Sequence, residues 1–313
     1  MTSIRSILVL GAGELGASLL ASIEKYASYL ETKPIISVLL GPSSRTDEIA
    51  GLNISIIRHD LAKLDAMGLA TVMQPYDAVV SCTGFGAGGG TQLKIAQAAL
   101  AARVRRFIPW QFGVDYDAIG RGSGQDLFDE QLEVRELLRS QTGQRKTDWV
   151  IVSTGVFTSF LFEDAFGVVQ GAITQARNPS WPITVTALGS WGNGLTVTSV
   201  EDIGRLTARV LLDPNVHNQV VYLSGDTISY DRLASVVQKV TGKEVRRALM
   251  TQEALEDKVL RNPTTINKYL VAFGRGRGVS WPLAGTYNAQ AGIQTMNIET
   301  WLKRQLQARG IQV

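Results

Sequence analysis

Apolar and polar positions alternate in blocks along the first half of the chain. "SILVL" (6–10) is a short β-branched run bounded by glycine, the pattern of a buried strand. Residues 14–30 follow with Leu15, Leu19, Leu20, Ile23 and Ala27 at helical spacing. "PIISVLL", "NISIIRHD", "DAVVSCTG" and "RRFIPW" predict four further strands, and "DWVIVSTG" a sixth. "TQLKIAQAALAARV" and "DLFDEQLEVRELLRS" predict helices. Strands that alternate with helices imply βαβ units and a parallel sheet covered on both faces, a doubly wound α/β fold.

The pattern changes after Gly155. Residues 157–192 are rich in aromatics and glycine and only weakly periodic. "LTVTSVEDIGRLTARVLLD" predicts a strand and a helix, and "NQVVYLSG" another strand; these are expected to rejoin the first domain. "SYDRLASVVQKVTG" and "TQEALEDKVLRN" predict helices of a smaller lobe. The expected organisation is a nucleotide-binding domain over 1–155, with 195–224 returning to it. A smaller interleaved α+β lobe takes 156–194 and 225–313.

Composition narrows the classes. The chain has 313 residues, 45% hydrophobic and 19% charged, enough for a large core in two lobes. A net charge of +3 without a Lys/Arg block argues against nucleic acid. The single cysteine, Cys82, excludes a disulfide framework and fits a reducing compartment. No run of 18 apolar residues predicts a membrane span, and the first residues enter a strand directly, with no signal-peptide pattern. A cytoplasmic location, as monomer or homodimer, is the expectation. His59 and His217 stand far apart with no metal-ligand spacing, so no metal is expected, and no serine nucleophile elbow occurs.

"GAGELG" places Gly11, Gly13 and Gly16 in G-x-G-x-x-G spacing, after a strand and before a helix. The first glycine allows a tight turn, the second lets backbone approach a pyrophosphate, and the third lets the helix pack close to its strand. Glu14 and Leu15 belong to the same turn, and Thr83, Gly84 and Phe112 to later strand ends on the cofactor side. An NAD site carries a carboxylate at the tip of the second strand. Here that tip reads "VLLGPSSRT", and Asp47 and Glu48 stand too far along. Ser43, Ser44 and Arg45 offer hydroxyls and a guanidinium suited to a 2′-phosphate, so NADP(H) is the predicted cofactor.

"FIPWQFGVDYD" (107–117) leaves its strand with a polar and aromatic cluster at the carboxyl edge of the sheet, where doubly wound folds bind ligands. Trp110 is a candidate substrate contact there. Asp115 and Tyr116 can orient a substrate or move a proton, although Asp is also an ordinary turn residue. Thr154 and Gly155 close the sixth strand on the same side. In the next helix Leu127, Gln131, Val134 and Leu138 share one stripe, so Gln131 puts an amide on an apolar face; it either bonds in the cleft or caps the edge of the stripe near solvent. Glu130 beside it is a candidate base. Phe157, Phe160, Trp181 and Trp191 are core-forming types that together suit an apolar cavity for a flat ligand.

"SILVLGAGELG", "RRFIPWQFGVDYD", "LFDEQLEVRELL" and "DWVIVSTGVFTSFL" resemble the NmrA-like and isoflavone reductase-like branch of atypical short-chain dehydrogenases. The resemblance covers nearly the whole chain and is strongest over 5–165. It implies an NADP(H)-binding Rossmann domain, a small C-terminal substrate lobe and a small aromatic or alkaloid-like substrate of secondary metabolism. Reductases of this branch carry a catalytic lysine on the helix after F-G-x-D, and the matching position here is Gln131. Glutamine orients a carbonyl but supplies no proton. Three activities follow as expectations: a reductase with another proton donor, a non-redox cyclase or isomerase with NADP(H) as a wall of the pocket, or a dinucleotide-sensing regulator.

Overall fold

A computed structural model describes residues 4–144, 146–178 and 180–312. The chain forms two compact units. The first runs to Phe112 and adds Glu130–Val152 and Ile203–Val221; the second comprises Gly113–Asp129, Ser153–Asp202 and Tyr222 onward.

The first unit is built on β1 (Ser6–Leu10), β2 (Ile35–Leu40), β3 (Ser55–Arg58), β4 (Ala78–Ser81), β5 (Arg106–Ile108) and β6 (Asp148–Ser153). The strand Gln219–Tyr222 completes a seven-stranded sheet in which it is followed in order by β6, β5, β4, β1, β2 and β3. Neighbours from β6 to β3 pair in parallel, with Leu8 opposite both Ser37 and Val79. Strand order reverses between β1 and β4, and that reversal opens a crevice at their carboxyl ends. Both faces of β1 are covered, so Ile7, Leu8, Val9 and Leu10 are wholly buried; this is why "SILVL" reads as a continuous apolar run.

Helix α1 (Glu14–Ala27) buries Leu15, Leu19, Leu20, Ile23 and Ala27, the stripe its spacing predicts. Helices α2 (Ala66–Met73) and α3 (Thr91–Ala101) contribute Leu69, Met73, Ile95 and Ala99 to a core with Leu8, Val79 and Phe107. Arg106 is an unexpected core member. Its Nη1 donates to the carbonyls of Val210, Leu211 and Asp213, at 3.3, 2.8 and 2.8 Å, where the helix Val200–Leu212 ends. A guanidinium thus satisfies carbonyls that a helix C-terminus leaves without partners.

In the second unit, α4 (Tyr116–Ile119) and the start of α5 (Asp126–Arg139) accompany two three-stranded sheets. One joins Asp226–Ser229, Gly194–Thr198 and Val156–Phe157; the other joins Val245–Met250, Ile183–Leu188 and Val169–Gln170. The helices Tyr230–Thr241, Gln252–Arg261, Thr265–Gly274 and Ile298–Gln307 give this unit its α+β character. Among the described residues no helix is long and apolar enough to cross a membrane.

Candidate functional site

The crevice between β1 and β4 carries the glycine turn. Gly11 sits at φ +91°, and a Cβ there would lie 3.2 Å from the Cys82 carbonyl oxygen, so only glycine fits. Gly16 is pressed against the Gly11 carbonyl and allows α1 to start directly above the strand. Gly13 is the N-cap of α1 and contributes no side-chain cap, and a Cβ there would have no neighbour within 4 Å. The open helix N-terminus therefore faces space, the arrangement that suits an anion. Burial pushes the Cys82 thiol well above its ordinary pKa, which makes it an inert wall of this turn.

A cavity of about 750 Å³ lies over the turn. Gly11, Gly13, Ser44, Arg45 and Thr83 line it together. Leu15 and Gly16 are buried behind the turn, while Glu14 and Ser43 are exposed and do not line the cavity. Asp47 and Glu48 do line it, although they follow the strand tip by several residues. The Arg45 guanidinium donates to Asp47 Oδ2 through Nε at 2.8 Å and Nη2 at 2.5 Å. Arg58, at the end of the edge strand β3, shapes the loop by donating to the carbonyls of Gly41, Pro42 and Ser44 at 2.9, 3.2 and 3.1 Å. Gly84 lies against Trp110, whose ring meets Phe112 edge-on with centroids 5.7 Å apart.

Gln131 is completely buried, and both amide atoms lack a hydrogen-bond partner. It does not cap an edge near solvent, because α5 also buries Phe128, Leu132 and Arg135 on that side. Its main-chain carbonyl accepts from Gln111 Nε2 at 2.8 Å, and Gln111 Oε1 accepts from Arg135 Nε at 2.7 Å. Gln111 and Arg135 are themselves fully buried. Arg135 stands one helical turn beyond Gln131, and that spacing is the one sequence signal for its place in the network. Glu130 has a different task. Its carboxylate accepts from the backbone N–H groups of Gly90, Gln92 and Leu93 at 3.0, 2.7 and 3.0 Å, and so caps α3.

The second unit gathers the rest of the polar cluster around Gly113. The Gly113 carbonyl accepts from the N–H groups of Thr154 and Gly155, both at 2.9 Å. The Thr154 carbonyl accepts from Thr198 Oγ1 at 2.7 Å. A Cβ on Gly113 would lie 2.7 Å from the Tyr116 hydroxyl, so the phenol sits directly against this glycine. Asp115 accepts from Ala118 N–H through Oδ1 at 3.3 Å and from the Tyr222 hydroxyl through Oδ2 at 2.8 Å. Both oxygens of the Asp115 side chain thus accept hydrogen bonds.

Rings continue from this turn: Tyr116 and Tyr269 both meet Phe128, Phe160 meets Tyr269 and Phe166, and Phe166 meets Phe273. Burial, reinforced by Tyr116, pushes the Tyr269 phenol well above its ordinary pKa, so it keeps its proton. Phe157 is half-buried at the end of its strand. Trp181 and Trp191 are outside this ladder; Trp181 is half-exposed, and Trp191 lies 5.0 Å beneath the Arg247 guanidinium. Tyr222, Tyr269 and Arg58 carry no motif, and only their folded positions bring them to notice. Among the described residues no group of His, Cys, Asp and Glu is arranged to hold a metal ion.

The family model described as "NmrA-like family" matches residues 4–278. The chain belongs to the NmrA-like family. An NmrA-like family domain-containing oxidoreductase of Gibberella moniliformis is 42% identical over 310 residues, covering 95% of this chain and 97% of that protein. Phenylcoumaran benzylic ether reductase Pyrc5 of Pyrus communis is 23% identical, covering 93% and 94%. Among solved structures, the binary complex of leucoanthocyanidin reductase with NADPH from Vitis vinifera aligns with TM-score 0.74 and 18% identity over 96% of this chain and 98% of that one. A structure of AtPrR2 with NADP+ and (+)pinoresinol aligns equally well, TM-score 0.74 and 18% identity, over 97% and 99%. These structures share the fold of this NmrA-like chain, the doubly wound nucleotide-binding architecture of isoflavone reductase-like proteins.

Proposed function

We propose that this NmrA-like protein is an NADP(H)-binding enzyme that reduces a small aromatic or alkaloid-like molecule. The observation that carries the reading is the cavity in which the Gly11 turn, the open N-terminus of α1, Ser44 and Arg45 converge. The residues fit the nucleotide: Gly11, Gly13 and the first turn of α1 would hold a pyrophosphate, and Ser44 and Arg45 a ribose 2′-phosphate. The bound nucleotide would supply hydride. The relatives point the same way, since the names of two include oxidoreductase or reductase and two solved neighbours hold NADP+ or NADPH.

The proton has to come from this chain's own groups or from water. Gln131 has no acidic proton, Glu130 is committed to capping α3, and Asp115 already accepts two hydrogen bonds. Of these candidates the Tyr116 hydroxyl alone has a transferable proton, with water as the other source; its ring packs on Phe128 beside Gly113.

The amide in place of an acid at position 131 favours a second reading, a cyclisation or isomerisation in which NADP(H) forms a wall and is not consumed. Deuterium from labelled NADPH separates the two. Label appearing in the product supports reduction; full turnover with NADP+ alone and no label transfer supports the non-redox reading.

Titration tests the site itself. NADPH should bind more tightly than NADH, and Arg45→Ala should cost NADPH about 1 kcal/mol, the worth of an exposed charge-assisted contact, while hardly changing NADH. Equal affinities for the two nucleotides would remove the assignment of Ser44 and Arg45.

A further inference from the structure

We propose, on the reading that the cavity takes NADP(H), that Asp47 is a specificity residue that restrains the preference for NADP(H) over NAD(H). Arg45 is the guanidinium placed for a 2′-phosphate, and it is already engaged. Its Nε and Nη2 both donate to Asp47 Oδ2, at 2.8 and 2.5 Å. These two groups form one edge of the planar fork with which arginine grips a phosphate in bidentate fashion. A 2′-phosphate therefore displaces a carboxylate or settles for the remaining edge of the fork.

The rest of the cavity reinforces the effect. Asp47, Glu48 and Asp60 line it against the single guanidinium of Arg45. The nearby Arg58 donates to three loop carbonyls, so its position is tied to holding the loop. A phosphate monoester carries close to two negative charges at neutral pH and enters a lining with more carboxylates than cations. NAD(H) brings no such charge, and its 2′-hydroxyl can donate to a carboxylate such as Asp47.

The restraint is one of degree. The Arg45 and Asp47 side chains keep 89% and 68% of their exposure, so water and salt weaken their attraction and the pair opens readily. The expected effects are fold-changes within about one power of ten.

The test is calorimetric titration of NADPH and NADH into the wild-type chain, Asp47→Asn, Arg45→Ala and the double variant. Asparagine keeps the shape of Asp47 without its charge, and the site is exposed, so no buried contact is lost. Asp47→Asn should tighten NADPH by about 3- to 10-fold and change NADH by less than about twofold. In the Arg45→Ala background the gain should shrink, since no guanidinium remains to be freed. If wild type binds NADPH and Asp47→Asn leaves its affinity unchanged, or tightens both nucleotides alike, the proposal is overturned while the cavity remains the NADP(H) site. If neither wild type nor Asp47→Asn binds either nucleotide, the reading of the cavity fails and the proposal with it.

Discussion

Gln131 shows how one side chain can run against its surroundings. It is fully buried with donor and acceptor both unsatisfied. Burying an unpaired amide costs about 1–3 kcal/mol, and an apolar residue of similar size avoids that cost. Gln131→Leu should accordingly stabilise the protein by about 1–2 kcal/mol, seen as a higher denaturant midpoint at unchanged slope. Unchanged or lower stability would mean that the amide has a partner in solution, such as a buried water. Activity measured on the same variant separates the roles: lost turnover with raised stability marks an amide retained for chemistry at the expense of folding. Gln131→Lys is a harsher change than its match to the family's lysine suggests. It places a second cation one turn from the fully buried Arg135, and it should lower stability unless the lysine loses its proton.

At the scale of elements, charged side chains hold helix ends in place, one half-buried and one buried. Glu130 caps the start of α3 with three backbone hydrogen bonds, and Arg106 closes the end of Val200–Leu212 with three more. Arg106 lies at the start of β5, in the middle of the sheet, so it ties a strand to a helix distant in sequence. Burial pulls its pKa down from the ordinary arginine value, and the nearby Asp148 and Asp213 oppose that shift. Arg106→Met keeps the aliphatic stem and strips the hydrogen bonds from three carbonyls. It should destabilise by about 2–4 kcal/mol, and amide exchange should accelerate first in the last turn of Val200–Leu212. A loss below about 0.5 kcal/mol, the level of an ordinary surface change, would show that water satisfies those carbonyls as well as arginine does.

At the scale of the whole molecule, the assigned cofactor predicts a stability linkage. A ligand that binds only the folded chain stabilises it by about 2.7 kcal/mol at a hundredfold excess over Kd. NADPH should therefore raise the melting midpoint in a concentration-dependent way. Exchange protection should increase at residues 11–15 and 41–46, the glycine turn and the β2 loop. Adenosine alone should give a smaller shift, because it lacks the phosphates for which the turn and the helix N-terminus are suited. An NADPH shift with protection confined to the second unit would move the nucleotide away from the Gly11 cavity.

The features legible from sequence are those carried by short-range pattern. β1 to β6, α1, α3 and α5 were all readable as apolar runs or helical stripes, and the glycine turn was readable because G-x-G-x-x-G needs particular residues at particular places. α2, with its short "AMGLATVM", and the helices Thr265–Gly274 and Ile298–Gln307 did not stand out in the same way, since brief or mixed apolar patterns separate poorly from loops. Side-chain partnership was not legible at all. Nothing local ties Arg106 to Val210, Tyr222 to Asp115, or Glu130 to Gly90, because each pair is separated by tens of residues and meets only when the sheet forms. Asp47 is the sharpest case: counted along the chain it stands beyond the strand tip, yet the turn after β2 folds it back into the same cavity as Arg45. Periodicity and glycine spacing are local constraints on backbone geometry, so the sequence by itself determined the doubly wound architecture and the position of the glycine turn. Which carboxylates are occupied, which amide is stranded and which cation is engaged depend on distances across the fold, and only the tertiary structure decided them.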